Sequence, residues 1–242
     1  MRKWKTKGII LAESNMGDFD KMLTILTPGL GKISCAAKGA RRTRSYLLGS
    51  TQFLCFGDYL LYGGNGTYTM NSCETIEMFY DLRTNLDKLQ YAVHITKIIQ
   101  DVTMENQNCY RILQLFLNTL YMITYKEKNL DFLLAIFKWR LLAILGYRPM
   151  VQRCVQCHTE ENLQAFSMEG DGFLCKECKK IDPSAIFISE NVKQALQFVL
   201  AVEPKKIFSF DMPDEDQKAF NRLVTRYFNL KLEKEYKMED LF

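Results

Sequence analysis

Apolar and polar residues alternate with a period of two over the first third of the chain and recur at helical spacing over the rest. Residues 7–12 form a short apolar run, and residues 21–27 and 32–38 flank Pro28, Gly29, Leu30 and Gly31, a turn sequence that predicts a hairpin. In the second of these strands Ile33, Cys35 and Ala37 share one face and Ser34 and Lys38 the other, the pattern of a half-buried strand. Residues 51–62 and 67–76 bracket Gly63, Gly64, Asn65 and Gly66, a second hairpin. Gly57 interrupts the first of these runs, where a bulge or bend would let a small sheet curl on itself. About five strands in roughly 75 residues, with an irregular stretch at 39–49, predict a small closed barrel of the OB type.

The period changes near residue 80. Leu86, Leu89, Val93, Ile98, Ile99 and Val102 predict a first long helix; Ile112, Leu113, Phe116, Leu120 and Ile123 line a second, opposite Arg111, Gln114 and Asn118. Residues 131–145 differ, because past Asp131 the charges are Lys138 and Arg140, which project about 200° apart at 100° per residue. With no polar face, this segment is predicted to be the central helix of a bundle, with two long cationic side chains reaching out of it, and Gly146 and Pro149 to end it. Ser189 as N-cap predicts a helix carrying Val192, Leu196 and Val199. Pro213 with Asp214, Glu215 and Asp216 predicts a last one carrying Phe220, Val224 and Tyr227.

The 242 residues are 48% hydrophobic and 25% charged, which excludes a disordered chain and argues for more than one folding unit. The expected fold class is α+β: an OB-type barrel over 1–79, then a helical domain over 80–242. Apolar runs stay near six residues, as at 132–137, where a membrane span needs about 20. The apolar run at 8–12 is too short for a secretory signal, so the expectation is a cytoplasmic protein with no membrane partner. Residues 1–50 hold ten Lys and Arg against three acids, a balance of +7, while the whole chain is +4. The N-terminal fifth is therefore a basic module on a slightly acidic body, which suggests a polyanionic partner.

Of eight cysteines, Cys35, Cys55, Cys73 and Cys109 are scattered and read as small buried hydrophobes. Cys154, Cys157, Cys175 and Cys178 form two C-x2-C pairs, the spacing of a zinc site, in a module at about 150–181 inserted in the helical domain. Four thiolates leave no open coordination position, so the expected cofactor is one structural Zn2+ per chain, with His158 an exposed neighbour rather than a ligand. Acids outnumber bases in this module, which makes it a poor nucleic-acid surface. The opposite holds at Lys38, Arg41, Arg42 and Arg44, four cations within seven residues after a predicted strand, where guanidiniums can bridge phosphates beside an OB groove. Lys21 and Lys32 complete the candidate DNA-binding set. Tyr46, Phe53, Phe56, Tyr59, Tyr62 and Tyr68 could offer stacking faces but read mainly as core; Tyr46, in the loop, fits the core least well.

Catalytic signatures are sparse. His94 and His158 leave little material for a triad, the glycines at 63–66 lack the spacing and lysine of a phosphate loop, and Asp214–Asp216 are explained by a helix start. The chain reads as a non-enzyme. A zinc-stabilised RNA-binding or regulatory protein without annealing activity, and a thiol enzyme using Cys35 or Cys55, are the alternatives.

Three segments carry a resemblance: Gly8 to Leu11, Asp20 through the Pro-Gly-Leu-Gly turn to Lys32, and Ala37 to Arg42. With the run from Phe137 to Pro149 leading into the cysteine module, they resemble the RecO family of bacterial recombination mediators. The resemblance implies an OB fold, a helical domain and a zinc module, in that order. It also implies binding of single- and double-stranded DNA, annealing of complementary strands, and cooperation with RecR and the single-strand-binding protein to load recombinase, in the cytoplasm at the nucleoid. Lys38, Arg41 and Arg42 carry over as DNA contacts and the four cysteines as metal ligands. The helical body is then expected to hold an apolar groove, rimmed by Lys138 and Arg140, for the acidic, hydrophobic-ended tail of the single-strand-binding protein.

Overall fold

A computed structural model describes residues 2–64 and 67–238; Asn65 and Gly66 of the expected second hairpin turn lie outside them. Strands β1 (Lys3–Met16), β2 (Asp20–Thr27), β3 (Gly31–Ala37), β4 (Phe56–Gly64) and β5 (Thr67–Glu77) close into a barrel in the order β1-β2-β3-β5-β4. β1 pairs antiparallel with β4 from Lys3 to Ile9 and with β2 from Ile9 to Met16, so one long strand serves two neighbours. A register shift between Ile10 and Ala12 marks the bend between its halves. β3 and β5 run parallel, Ser34 opposite Thr67, across a connection that carries the short helix α1 (Leu47–Ser50). This is the OB-type barrel expected from the residue pattern.

Two strand limits differ from expectation. β1 extends beyond 7–12 at both ends because its polar residues still find ladder partners on β4 and β2. The strand expected from residue 51 begins at Phe56. Leu54 turns the chain at φ 62° and donates its amide to the Ile10 carbonyl at 2.9 Å, while the Ile10 amide donates to the Cys55 carbonyl at 3.1 Å. Gly57 does sit at a register shift, and a side chain there would come within 2.6 Å of the Glu74 carbonyl oxygen. Inside the barrel lie Ile10, Leu23, Ile25, Ile33, Cys35, Leu61 and Met70, with Tyr59 and Tyr68, two aromatics read correctly as core.

Packing divides the chain into two compact units, one ending at Tyr125 and one beginning at Lys126. The strand-to-helix change falls near residue 80, but α2 (Leu86–Val102) and α3 (Tyr110–Tyr125) belong by contact with the barrel. Their connection is stitched to the β2–β3 hairpin: Lys32 donates its amide to the Met104 carbonyl, Asn106 to Leu30, and Cys109 to Pro28, at 2.8–3.0 Å.

The second unit is built on α4 (Leu130–Leu145), capped by the Asn129 side chain and ended by Gly146 at φ 99°. Against it pack α5 (Glu190–Ala201) and α6 (Asp214–Leu232), and Phe166 brings to it a three-stranded sheet of β6 (Leu163–Ser167), β7 (Gly172–Cys175) and β8 (Ile186–Phe187), ordered β7-β6-β8. Trp139 is fully buried and donates its indole N–H to the Leu196 carbonyl at 3.0 Å. The expectation that Lys138 and Arg140 reach out as a cationic rim is overturned. Lys138 is 2% exposed, its amine 5.7 Å from the Phe228 ring centre, and Arg140 donates to the Val199 and Leu200 carbonyls at the end of α5. α4 is covered around its circumference, so these side chains meet other helices instead of water.

Candidate nucleic-acid interface and cysteine module

The end of β3 delivers the cationic loop to the turn between β1 and β2. Gly39 donates its amide to the Asp20 carboxylate at 2.7 Å, and the Arg41 amide donates to the Phe19 carbonyl at 2.9 Å. The Arg41 guanidinium then donates to the carbonyls of Gly17 and Asp18, both at 3.1 Å, and the Arg42 guanidinium lies 5.3 Å from the Phe19 ring centre. Lys38 and Arg44 are exposed and make no hydrogen bond or ion pair among the described residues. These four cations therefore share one exposed loop, with Arg41 partly committed to holding it.

Lys21 and Lys32 are not part of that surface. Lys21 is largely buried, paired with Glu13 and reaching the Thr51 carbonyl, and Lys32 donates to the Gln100 carbonyl near the end of α2. Sequence reasoning passed over Phe19, a 51% exposed aromatic in the β1–β2 turn. The signal available was a large apolar residue among Gly17, Asp18 and Asp20, where a turn offers it no core.

The two C-x2-C pairs meet in the second unit, with all four sulfurs within 4.8 Å of one another. Cys154 and Cys157 lie on a turn in which the His158 amide donates to the Cys154 carbonyl at 3.0 Å and the Cys154 amide to the Thr159 carbonyl at 2.8 Å. Cys175 ends β7, and the Cys178 amide donates to its sulfur at 3.4 Å. The β6–β7 hairpin holds the turns together: Val155 donates to the Phe173 carbonyl and Phe173 to Met150. Gly172 is required there, because a Cβ would lie 2.3 Å from the Met150 carbonyl oxygen.

The donor set suits a metal ion. Burial opposes ionisation of Cys154, yet backbone N–H groups of Cys157, Cys175 and Gln156 outweigh it and draw the thiol down to about 6. Partial burial and hydrogen bonds with the neighbouring thiols push Cys178 the other way. The Cys157 and Cys175 sulfurs are 3.7 Å apart, close to the ~3.8 Å edge of a tetrahedron with bonds of about 2.3 Å. His158 is exposed and outside the cluster.

Models of the N-terminal and C-terminal parts of recombination protein O match residues 1–79 and 83–239. The chain belongs to the RecO family. It is 40% identical to the DNA repair protein RecO of Acetivibrio thermocellus, over 98% of this chain and 94% of that one. RecO proteins of Alkaliphilus metalliredigens and Caldicellulosiruptor saccharolyticus are 32% and 31% identical, over 95% and 100% of this chain and 94% and 98% of theirs. RecO membership sets its role in DNA repair and recombination. No helix of the described residues is long and apolar enough to cross a membrane.

Proposed function

We propose that this RecO protein binds single- and double-stranded DNA through the barrel and anneals complementary strands, cooperating with RecR and the single-strand-binding protein at the nucleoid to load recombinase. The observation that carries the reading is the exposed Lys38, Arg41, Arg42 and Arg44 loop, fixed to the β1–β2 turn of an OB barrel. The mechanism is electrostatic. Cations on the loop neutralise phosphates, the repulsion between two strands falls, and base pairing proceeds with no covalent step and no nucleotide cofactor. A thiol enzyme using Cys35 or Cys55 finds no support: burial pushes the Cys35 thiol up to about 12, and Cys55, drawn down to about 7 chiefly by a hydrogen bond with Cys73, is fully buried in the barrel core, out of a substrate's reach.

Cys154, Cys157, Cys175 and Cys178 would hold one Zn2+, which supplies structural cross-linking and no catalysis. Since Lys138 and Arg140 face the interior of the second unit, the partner's acidic tail would dock in that unit's cavity of about 370 Å³. Ile186, Ile188, Val192 and Leu223 give it apolar walls, and Arg222 and Arg226, one turn apart on α6, supply positive charge. Annealing of complementary oligonucleotides coated with the cognate single-strand-binding protein tests the whole reading. Annealing without ATP is expected, and its weakening by Arg222→Ala with Arg226→Ala on coated DNA alone would separate tail docking from DNA contact. Absence of annealing on both coated and bare DNA would refute the function.

A further inference from the structure

Among the barrel's large aromatic side chains Tyr59 is fully buried and Tyr68 2% exposed, and Trp4, Phe53, Phe56 and Tyr62 are half-buried. Two do the opposite at the ends of the cationic loop. Phe19 is 51% exposed at the tip of the β1–β2 turn, and Tyr46 is 73% exposed two residues beyond Arg44. Neither position is loosely held. The Phe19 carbonyl accepts the Arg41 amide, the turn's other carbonyls are bound by the Arg41 guanidinium, and the Arg42 guanidinium sits over the Phe19 ring. Tyr46 donates its hydroxyl to the Asn71 carbonyl on β5 at 2.8 Å, which fixes the ring while leaving most of its surface to solvent.

Hydrophobic burial does not account for ordered, exposed rings beside a loop in which Lys38 and Arg44 have no partner among the described residues. Every base has a flat π-face, and aromatic platforms next to a basic track hold unstacked bases largely without regard to sequence. In a duplex those faces are occupied by neighbouring base pairs. We propose that Phe19 and Tyr46 are base-stacking platforms, so that the loop's arginines and lysine take the phosphates of any DNA while the two rings select single strands with unstacked bases. The inference rests on the DNA-binding reading above and deepens it.

The arrangement separates two dependences that a purely electrostatic site would merge. Each stacked base contributes roughly a factor of five to a hundred in affinity and no counterion release, whereas each phosphate contact contributes to the salt slope. The test uses the full chain, with fluorescence anisotropy at several salt concentrations on three labelled probes: an oligothymidylate, an oligomer of the same length with abasic sites, and a blunt duplex. Phe19→Ala with Tyr46→Ala is expected to weaken oligothymidylate binding about 25-fold or more with an unchanged salt slope, and to leave the abasic oligomer and the duplex as they were. Phe19→Tyr, which keeps the ring, should retain wild-type affinity. Equal losses on all three probes, or none on oligothymidylate, would overturn the stacking role while wild-type binding still upheld the DNA site. Failure of the wild-type protein to bind any probe would remove both.

Discussion

Arg41 and Lys138 show how little a residue's type says about its use. Arg41 sits in the most cationic stretch of the chain, yet two of its hydrogen bonds close the β1–β2 turn, so its replacement would disturb loop geometry as well as remove a charge. Lys138 was legible as one of two charges on an apolar helix, but the sequence does not report how many neighbours cover that helix. Burial holds its amine down at about 8, with Asp131 offsetting part of the effect. A shift of that size corresponds to roughly 3 kcal/mol lost from stability at neutral pH. Lys138→Met should therefore stabilise the protein at pH 7, by about 1–3 kcal/mol, in denaturant titrations. Between about pH 8 and the ordinary lysine value of 10.5 the unfolded chain holds a proton the folded chain has released. Wild-type stability then gains from this group as pH rises, and the advantage of the variant should shrink across that window. A variant less stable than wild type at pH 7 would show that the amine makes a favourable contact.

At the scale of elements, the cysteine hairpin is part of the second unit's core. Phe166 of β6 packs edge-on against Trp139 of α4 and Tyr227 of α6, with ring centres 5.9 and 5.1 Å apart. Asp171 in the β6–β7 turn pairs with Lys231 and accepts the Tyr227 hydroxyl at 3.2 Å. Metal loss should therefore be felt in the helices. Purified protein is expected to carry one zinc per chain, and Cys154→Ser with Cys178→Ser to lose it and to render α4 to α6 protease-sensitive. Retention of both zinc and protease resistance in that variant would refute the ligand assignment. The spacing made the four cysteines legible, but β6, β7 and β8 were not, because strands of five, four and two residues are too short to display a period. The long helices were read well because their buried faces repeat: Ile112, Leu113, Phe116, Leu120 and Ile123 are all buried in α3. Leu86, counted in the apolar face of α2, is exposed, and the buried residues of that helix run instead from Ala92 to Ile99.

For the whole molecule, the OB barrel was legible from five runs and their glycines, and the basic loop from charge alone. What stayed hidden depends on contacts distant in sequence: the diversion of Lys21 and Lys32 to internal acceptors and the presentation of Phe19. The central claim is that this loop brings DNA strands together by neutralising phosphate. Lys38→Ala with Arg44→Ala tests it most directly, because these two cations have no partner among the described residues and their loss should change stability by less than about 0.5 kcal/mol. The measurement is the affinity for single-stranded DNA as a function of salt, with annealing rate followed in the same samples without ATP. With four phosphate contacts, log K should fall against log salt with a slope of about −3 in the wild-type protein, and removal of two should flatten it by about 1.4 while annealing slows in parallel. An unchanged slope and an unchanged annealing rate would contradict the account and place the DNA path elsewhere on the protein.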